Sequence, residues 1–593
     1  MISSKKLTTI GIVLMAVVLI LLAFAMVFKD TLFNSQKTGD IALDKDHSIH
    51  LSADDYYTEH SSNGVVKISL KGDTVSCNSN GVSYDGRYIT IGKGGSYVLT
   101  GSLNDGSIIV NSGDDLPVFL YLEGVSIASS DYAPLVVTNA KKTVLSLIPG
   151  TESTFEAGEI KAGDNDSDTP SAVIYSADDL VINGTGKLTV KGSASDGIKA
   201  NDTLKILGST VHVNALDEGI NVNDGIYTSE ADISITSVSD AVRCEKSVPS
   251  ESFISINDST LSIHTDGDGI YSSGVLCLDN SNVTIMTGEG SESVVLGGGG
   301  FGGGGRGGFG GYGVTDDTPS TKGLKAGLKL EIRGGTFDLD CVDDAIHSDG
   351  EIAIDKGSFN ISTGNDAIHA EATLSLSPVT FNITKCLEGL EGAYILIDSG
   401  DFSITSSDDA INAVGYNSYG QGMPPMMGSH STPINEEDIY LDIRGGNIAI
   451  SSSGDGVDSN GAARVKGGNI RVYGPENGGN GSLDFQNGIL LNGGTLIAAG
   501  NSGMAEMPHA SSSQISLTFY LSANYERGST IEIVDDAGNT LLSGTSSMRF
   551  NWVCVSCPEF EMSKNYTLKV NGEAASSVTV SASTNTNASY GRR

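Results

Sequence analysis

The sequence predicts an all-β chain: a right-handed parallel β-helix of about 22 residues per coil, with a small C-terminal β cap and an N-terminal transmembrane helix. Three observations carry that reading. An acid followed by Gly or Ala and then an aliphatic residue recurs nine times, at a step of 21 or 22 residues wherever the repeat is uninterrupted. Each period holds three short runs of alternating apolar residues joined by Gly, Asn, Asp and Ser. After residue 30 no stretch shows a sustained helical stripe.

The elements follow in chain order. Lys5 and Lys6 precede an uncharged apolar run, Ile10 to Phe28, closed by Lys29 and Asp30. As a helix this run spans about 28 Å, one hydrocarbon core, and exceeds the usual apolar region of a cleaved signal. Residues 1–30 therefore read as a membrane anchor, although Ala23-Phe24-Ala25 resembles a cleavage site that would release a secreted form. Either way the chain is exported to the cell surface. Residues 31–64 read as a polar linker, and the β-helix is expected over 65–510, with less regular capping coils before about residue 180.

The acids of the motif are Asp196, Glu218, Asp240, Asp268, Asp344, Asp366, Glu388, Asp409 and Asp455. Steps of 22 separate 196, 218 and 240, and again 344, 366 and 388; a step of 21 leads to 409. Three strands per period fit one triangular coil, whereas leucine-rich repeats and propeller blades need other frames or longer periods. Coils stack about 4.8 Å apart, so equivalent residues form columns. Two places after the acid every residue is aliphatic, and four places after every residue is small, Cys244 included; both columns point inward. Three places after stand Lys199, Asn221, Arg243, Tyr271, His347, His369, Glu391, Asn412 and Asp458, an outward stripe suited to meeting a ligand.

Glycine-rich and Met/Pro-rich inserts at 297–323 and 414–436 interrupt the period. The first lacks the aspartates of a calcium-binding nonapeptide repeat. After 510 the period stops; 511–580 reads as hairpins of a small cap and 581–593 as a disordered tail. Seven cysteines are scattered as small apolar fillers, except Cys554 and Cys557, whose spacing allows a small disulfide.

Acids outnumber bases 72 to 35, a formal charge of −37, which disfavours nucleic acid and anionic lipid and attracts cations. The strand-and-turn texture from Tyr97 to Val110 and from Asp179 to Ile198, together with the repeated acid motif, resembles the bacterial carbohydrate-binding β-helix family, whose fold is like that of pectate lyases. The resemblance runs from about residue 65 into the cap. It implies a secreted or surface protein, a monomer, that binds acidic plant polysaccharide and cellulose with calcium held by aspartates on the coils.

Read from the residues, the ladder acids are candidate calcium ligands, with Asp217, Asp343 and Asp408 doubling three rungs. Like charges about 4.8 Å apart repel by roughly 0.9 kcal/mol even in water, and a hard cation with six to eight oxygen ligands reverses the sign. The simpler alternative is that each carboxylate caps turn amides at a coil corner. Lys199, Arg243, Tyr271, His347 and His369 are the candidate glycan contacts on the outward stripe. His347 and His369 could instead hold zinc or nickel with Glu391 as third ligand, against the plainer reading of two surface histidines. A calcium-dependent lyase using Arg243 or Lys199 as base, and a non-catalytic stalk or adhesin, are the rival functions.

Overall fold

The computed structural model describes residues 39–42, 48–60, 64–77, 79–160, 170–296, 320–415 and 439–588. The chain divides into two units, Met1–Tyr57 and Thr58–Arg593. In the first, Gly39–Ala42 and Ser48–Leu51 pair antiparallel within the stretch expected to be plain linker. A 3-10 turn, Ala53–Tyr56, follows, capped by Asp55, whose Oδ2 accepts the Ser52 N–H at 2.9 Å. The anchor expected over 1–30 lies outside the described residues, and among the described residues no helix is long and apolar enough to cross a membrane.

The second unit is an all-β solenoid of the right-handed type with about 15 turns. Strands of the first sheet carry the acid motif, as in Asp196–Ala200, Ile220–Val222, Val242–Cys244 and Ile270–Ser272. The second sheet contains Thr203–Leu207 and Gly225–Ser229, the third Thr210–Asn214 and Asp232–Ser237. Each strand pairs in parallel with its equivalent one coil on, so that Ile198, Ile220, Val242 and Ile270 stand side by side. This is the period-2 strand pattern converted into columns: a residue facing in on one coil meets its equivalent on the next.

The core follows from those columns. The aliphatic column of the first sheet is at most 3% exposed from Ile198 to Val457. On the third sheet Phe337, Phe359, Phe381 and Phe402 form one ladder, with successive ring centroids 4.6, 4.5 and 5.7 Å apart. Burying such a ring contributes about 1.5–3 kcal/mol, and the offset stacking adds to it. The small second residue of the motif has its own reason. A Cβ at Gly197 would stand 2.2 Å from Val213 Cγ1 and 2.6 Å from the Gly219 carbonyl. Where alanine replaces glycine, at 241, 345, 367 and 410, it is wholly buried.

The solenoid closes through Thr495–Gly500, which pairs antiparallel with Phe550–Ser556. Thr540–Thr545, Thr530–Asp535, Asn565–Val570 and Glu573–Thr579 form a separate four-stranded antiparallel sheet. Two expectations are corrected here. Cys554 and Cys557 are both free thiols: the first belongs to the coil core and the second to the cap core, so they face different interiors. The tail expected to be disordered instead places Thr584–Thr586 parallel to Ser516–Tyr525, where Asn585 accepts the Ser581 N–H and donates to the Ser516 carbonyl. Residues 589–593, 297–319 and 416–438, which include most of both inserts, lie outside the described residues.

Candidate functional site

The ladder stands at the corner that leads into the first sheet, and each acid is fixed there by backbone bonds between coils. The small residue after one acid donates its N–H to the carbonyl of the next acid, as Gly197 does to Glu218 and Ala345 to Asp366. The carboxylates then divide their two oxygens. One oxygen caps the next coil: Asp240 Oδ1 accepts the Asp268 N–H, Asp268 Oδ1 the Lys322 N–H, Asp409 Oδ1 the Asp455 N–H and Asp455 Oδ1 the Gly481 N–H, at 2.6–2.8 Å. The corner-capping alternative is thus present in the geometry at Asp240, Asp268, Asp409 and Asp455, where it engages one of the two carboxylate oxygens. The second oxygen faces the outward stripe.

Along much of the ladder that second oxygen meets a base or an amide. Lys199 Nζ lies 3.6 Å from Asp196 Oδ2, and Arg243 Nη1 lies 3.1 Å from Asp240 and 4.0 Å from Glu218. Arg243 also pairs with Glu245. The next coil carries a lysine where the motif has its acid. Lys322 Nζ donates to Asp343 and Asp344, and Lys325 Nζ reaches Asp268 Oδ2 at 3.0 Å. Neither lysine fits the acid motif, although Lys322-Gly323-Leu324-Lys325-Ala326 repeats its frame 22 residues before Asp344.

His347 and His369 meet edge to face on adjacent coils with ring centroids 4.9 Å apart, and they are not the free surface histidines of the plainer reading. His347 is 8% exposed, its Nδ1 2.8 Å from Asp344 Oδ2 and its Nε2 3.0 Å from Asp349 Oδ1. His369 Nδ1 lies 3.5 Å from Asp366 and 4.0 Å from Asp344, and its Nε2 lies 4.0 Å from Glu391. Burial works to lower the His369 pKa, yet the carboxylates of Glu391, Asp366 and Asp344 outweigh it and bring the value to about 10. Burial would raise Asp344, but Lys322 and the two histidines hold it well below the usual carboxylate range.

At other rungs burial and neighbouring acids outweigh whatever compensation is present, such as Arg243 at 4.0 Å from Glu218. Burial and then Asp196 push Glu218 up to about 8, with exposed Asp217 beside it. Burial, then Glu391 and Asp366, lifts Glu388 well above its ordinary value, although Asn412 Nδ2 donates to it at 2.8 Å. Burial and then Asp455 and Asp408 push Asp409 up to about 9. Asp455 rises to about 6 through burial, with Asp484, Asp408 and Glu506 adding to it against the Gly481 N–H. Burial raises Asp408 too, with Asp366 adding to it. The charged groups that act most strongly on Asp409 and Asp455 are acids. Asp484 and Glu506 were not singled out in the sequence because they fall outside the motif.

The stripe also forms an open groove of about 540 Å³ bounded by Glu218, Asp240, Arg243, Asp268, Tyr271 and Lys325. Tyr271 sits between two cations: Arg243 Cζ is 5.7 Å and Lys325 Nζ 4.8 Å from its ring centroid. Each such contact is worth about 0.5–1 kcal/mol near the surface and holds the ring upright. The predicted contacts Arg243 and Tyr271 are therefore brought together, and Lys325 joins them. Lys199 lies two coils before Arg243, and His347 and His369 lie beyond Lys325, all on the same stripe. On the second sheet Tyr394 and Tyr440, also unforeseen, stack 5.8 Å apart beside Arg464.

A family model described as carbohydrate-binding domain-containing protein matches residues 85–367 and 350–429. A carbohydrate-binding domain-containing protein of Acetivibrio thermocellus is 35% identical over 152 residues, which cover 25% of this chain and 53% of that one. The match thus spans about half the length of that curated relative. A solved structure of a polysaccharide lyase-like protein from C. thermocellum, a gadolinium derivative, is 31% identical; the alignment covers 37% of this chain and 91% of that one, with a TM-score of 0.36.

Proposed function

From a chain that belongs to the family of carbohydrate-binding domain-containing proteins, we propose a cell-surface protein that binds an acidic polysaccharide, such as polygalacturonate, without cleaving it and with the help of calcium. The observation that carries this reading is the groove around Tyr271, where two cations flank an aromatic ring among ladder carboxylates. Arg243 and Lys325 offer charge-assisted bonds to uronate carboxylates, and Tyr271 offers an edge or face to a sugar ring. A neutral glycan would leave both cations unused.

Calcium suits the remaining rungs because their donors are all oxygen and their charge is offset only in part, by Lys199 at 3.6 Å from Asp196 and Arg243 at 4.0 Å from Glu218. Glu218 with Asp196 and Asp217, and Asp409 with Asp408 and Asp455, are the residues that would hold it. When bound, the ion supplies a positive site that uronate oxygens complete, which reconciles an acidic protein with an acidic ligand. Sites repeated along the coils engage successive sugars, so modest single contacts multiply.

Arg243 supports binding over elimination. A lyase base must release its proton, and although burial lowers the Arg243 pKa, Glu245, Asp240 and Glu218 more than offset it and raise the value. The deciding experiment is affinity electrophoresis on polygalacturonate, cellulose and a neutral glucan, with and without chelator, alongside an ultraviolet assay for unsaturated products. Calcium-dependent retardation by polygalacturonate, lost in Arg243→Ala, is the expected result. Retardation by cellulose alone, independent of calcium, would move the site to the tyrosines of the second sheet. Unsaturated product lost in Arg243→Ala would make the protein a lyase. No retardation by any glycan would leave a structural stalk.

A further inference from the structure

We infer that the coils of Asp344 and Asp366 carry a separate site for a divalent transition ion of the zinc class, with Asp344, His347 and His369 as its ligands. It goes beyond the calcium and glycan reading because its donors differ in kind. Elsewhere the ladder presents oxygen, which suits calcium; here two imidazoles enter the same column positions, and imidazole favours zinc, copper, nickel or cobalt over calcium.

The geometry carries this assignment. One donor atom from each of Asp344, His347 and His369 lies within 4.8 Å of the others. A tetrahedral ion with bonds of about 2.1 Å holds its ligands about 3.4 Å apart, so small side-chain rotations complete the shell. Solenoid stacking supplies the histidine pair: His347 and His369 are in register on neighbouring strands. The ring planes lie at 73° to each other, yet the two imidazoles share one polarity. Each turns Nδ1 toward the ladder acids and Nε2 toward an outer carboxylate: Asp349 at 3.0 Å from His347, and Glu391 at 4.0 Å and Glu371 at 3.8 Å from His369. A ligating histidine characteristically gives its second N–H to a carboxylate, which fixes the tautomer and raises the basicity of the ligating nitrogen. Asp349 lies outside the acid motif, and its bond to His347 Nε2 gives that ring such a support.

The proton balance is simple. The His347 Nδ1–H donates to Asp344 Oδ2 at 2.8 Å. An ion entering between these atoms displaces this proton and the His369 Nδ1 proton, both of which leave to solvent; the Lys322 ammonium gives up Asp344 Oδ2 and keeps its bond to Asp343, and the His347 Nε2–H continues to donate to Asp349. The second oxygen of Asp344 continues to accept the Asn365 side-chain N–H at 2.7 Å, so the ligand remains anchored.

The test uses the full chain, stripped with chelator and titrated with zinc and with cobalt in excess calcium. One equivalent of zinc should bind and resist displacement by calcium, and cobalt should give the visible absorption of a site with four or five ligands including nitrogen. His347→Ala and His369→Ala should each abolish both signals. Asp349→Asn, at an exposed position that leaves the coil intact, should weaken zinc by about 10–100-fold. The cobalt spectrum of the unaltered protein stands even where a histidine variant folds poorly. Displacement of zinc by calcium, an oxygen-only cobalt spectrum, or an equivalent that survives both histidine changes would overturn the assignment. Polygalacturonate retardation serves as the separate readout: the glycan reading stands or falls with it, whatever zinc does.

Discussion

From Asp196 to Asp366 the rungs of the carboxylate ladder face Lys199, Arg243, Lys325, Lys322 or a histidine, whereas from Asp408 to Asp455 the strongest charged neighbours among the described residues are acids. The backbone of the two stretches is the same: a small residue bonded to the next acid's carbonyl, and a carboxylate oxygen capping the next coil. What differs is the outward residue and, at one coil, a lysine in the acid's own place. One motif thus serves two electrostatic states. In the first the protein supplies bases of its own beside the acids; in the second the strongest charged neighbours are further acids.

The largest effect should come from removing that internal counter-charge. Lys322→Met leaves Asp343 and buried Asp344 without their ammonium partner, and breaking a buried pair costs about 3–5 kcal/mol. Denaturant unfolding followed by hydrogen exchange should show the loss concentrated in the coils around 322–370. A uniform loss along the solenoid would mean that the rungs are not locally balanced.

Substitutions of one acid from each stretch should then diverge in sign. Asp344→Asn should destabilise the metal-free protein by about 2–3 kcal/mol, since Lys322 loses a buried charge partner. Asp409→Asn keeps an oxygen for the Asp455 N–H and spares the folded chain the cost of holding a buried carboxyl protonated, so it should stabilise the metal-free protein by about 1 kcal/mol while reducing the rise in Tm on adding calcium. Equal signs for the two variants would dissolve the distinction.

Acidity offers a finer probe. Asp409, Glu218 and Asp455 have folded values of about 9, 8 and 6, all above their ordinary range. The folded chain then binds protons that the unfolded chain has released, so stability falls as pH rises from about 4 toward each folded value. Asp344 works oppositely: its lowered value stabilises above the ordinary carboxylate pKa and is lost as pH falls below it. The metal-free Tm should therefore decline from about pH 5 to pH 9, with exchange quickening first in the coils carrying 408–455, and calcium should flatten that slope. A Tm that climbs over this window in chelator would contradict the assignment of uncompensated rungs.

The smallest effect is expected where compensation is exposed. Lys191 and Glu156 lie 3.6 Å apart with side chains 53% and 55% exposed. Lys191→Ala should shift stability by less than about 0.5 kcal/mol. Measured beside Lys322→Met, it tests whether burial sets the weight of a cation on these coils.

The sequence alone was enough for everything that depends on translation along the solenoid. A step of 22 residues and a strand alternation of two fix which residue stacks on which, so the inward column from Ile198 to Val457 and the stripe from Lys199 to Asp458 were legible without coordinates. Interruptions of the period hid the rest. Lys322 follows the glycine-rich insert and has the wrong charge for the motif, so the rung that neutralises Asp344 passed unnoticed. Asp484 and Glu506 lie beyond the last repeat, and Cys554 and Cys557 lie where the coil hands over to the cap. The split of each carboxylate between a neighbouring amide and the stripe also depended on tertiary structure. A column places atoms to within a residue, whereas which oxygen meets which N–H is settled by distances of a few tenths of an ångström, set jointly by the backbone of two coils and the side chains packed around them.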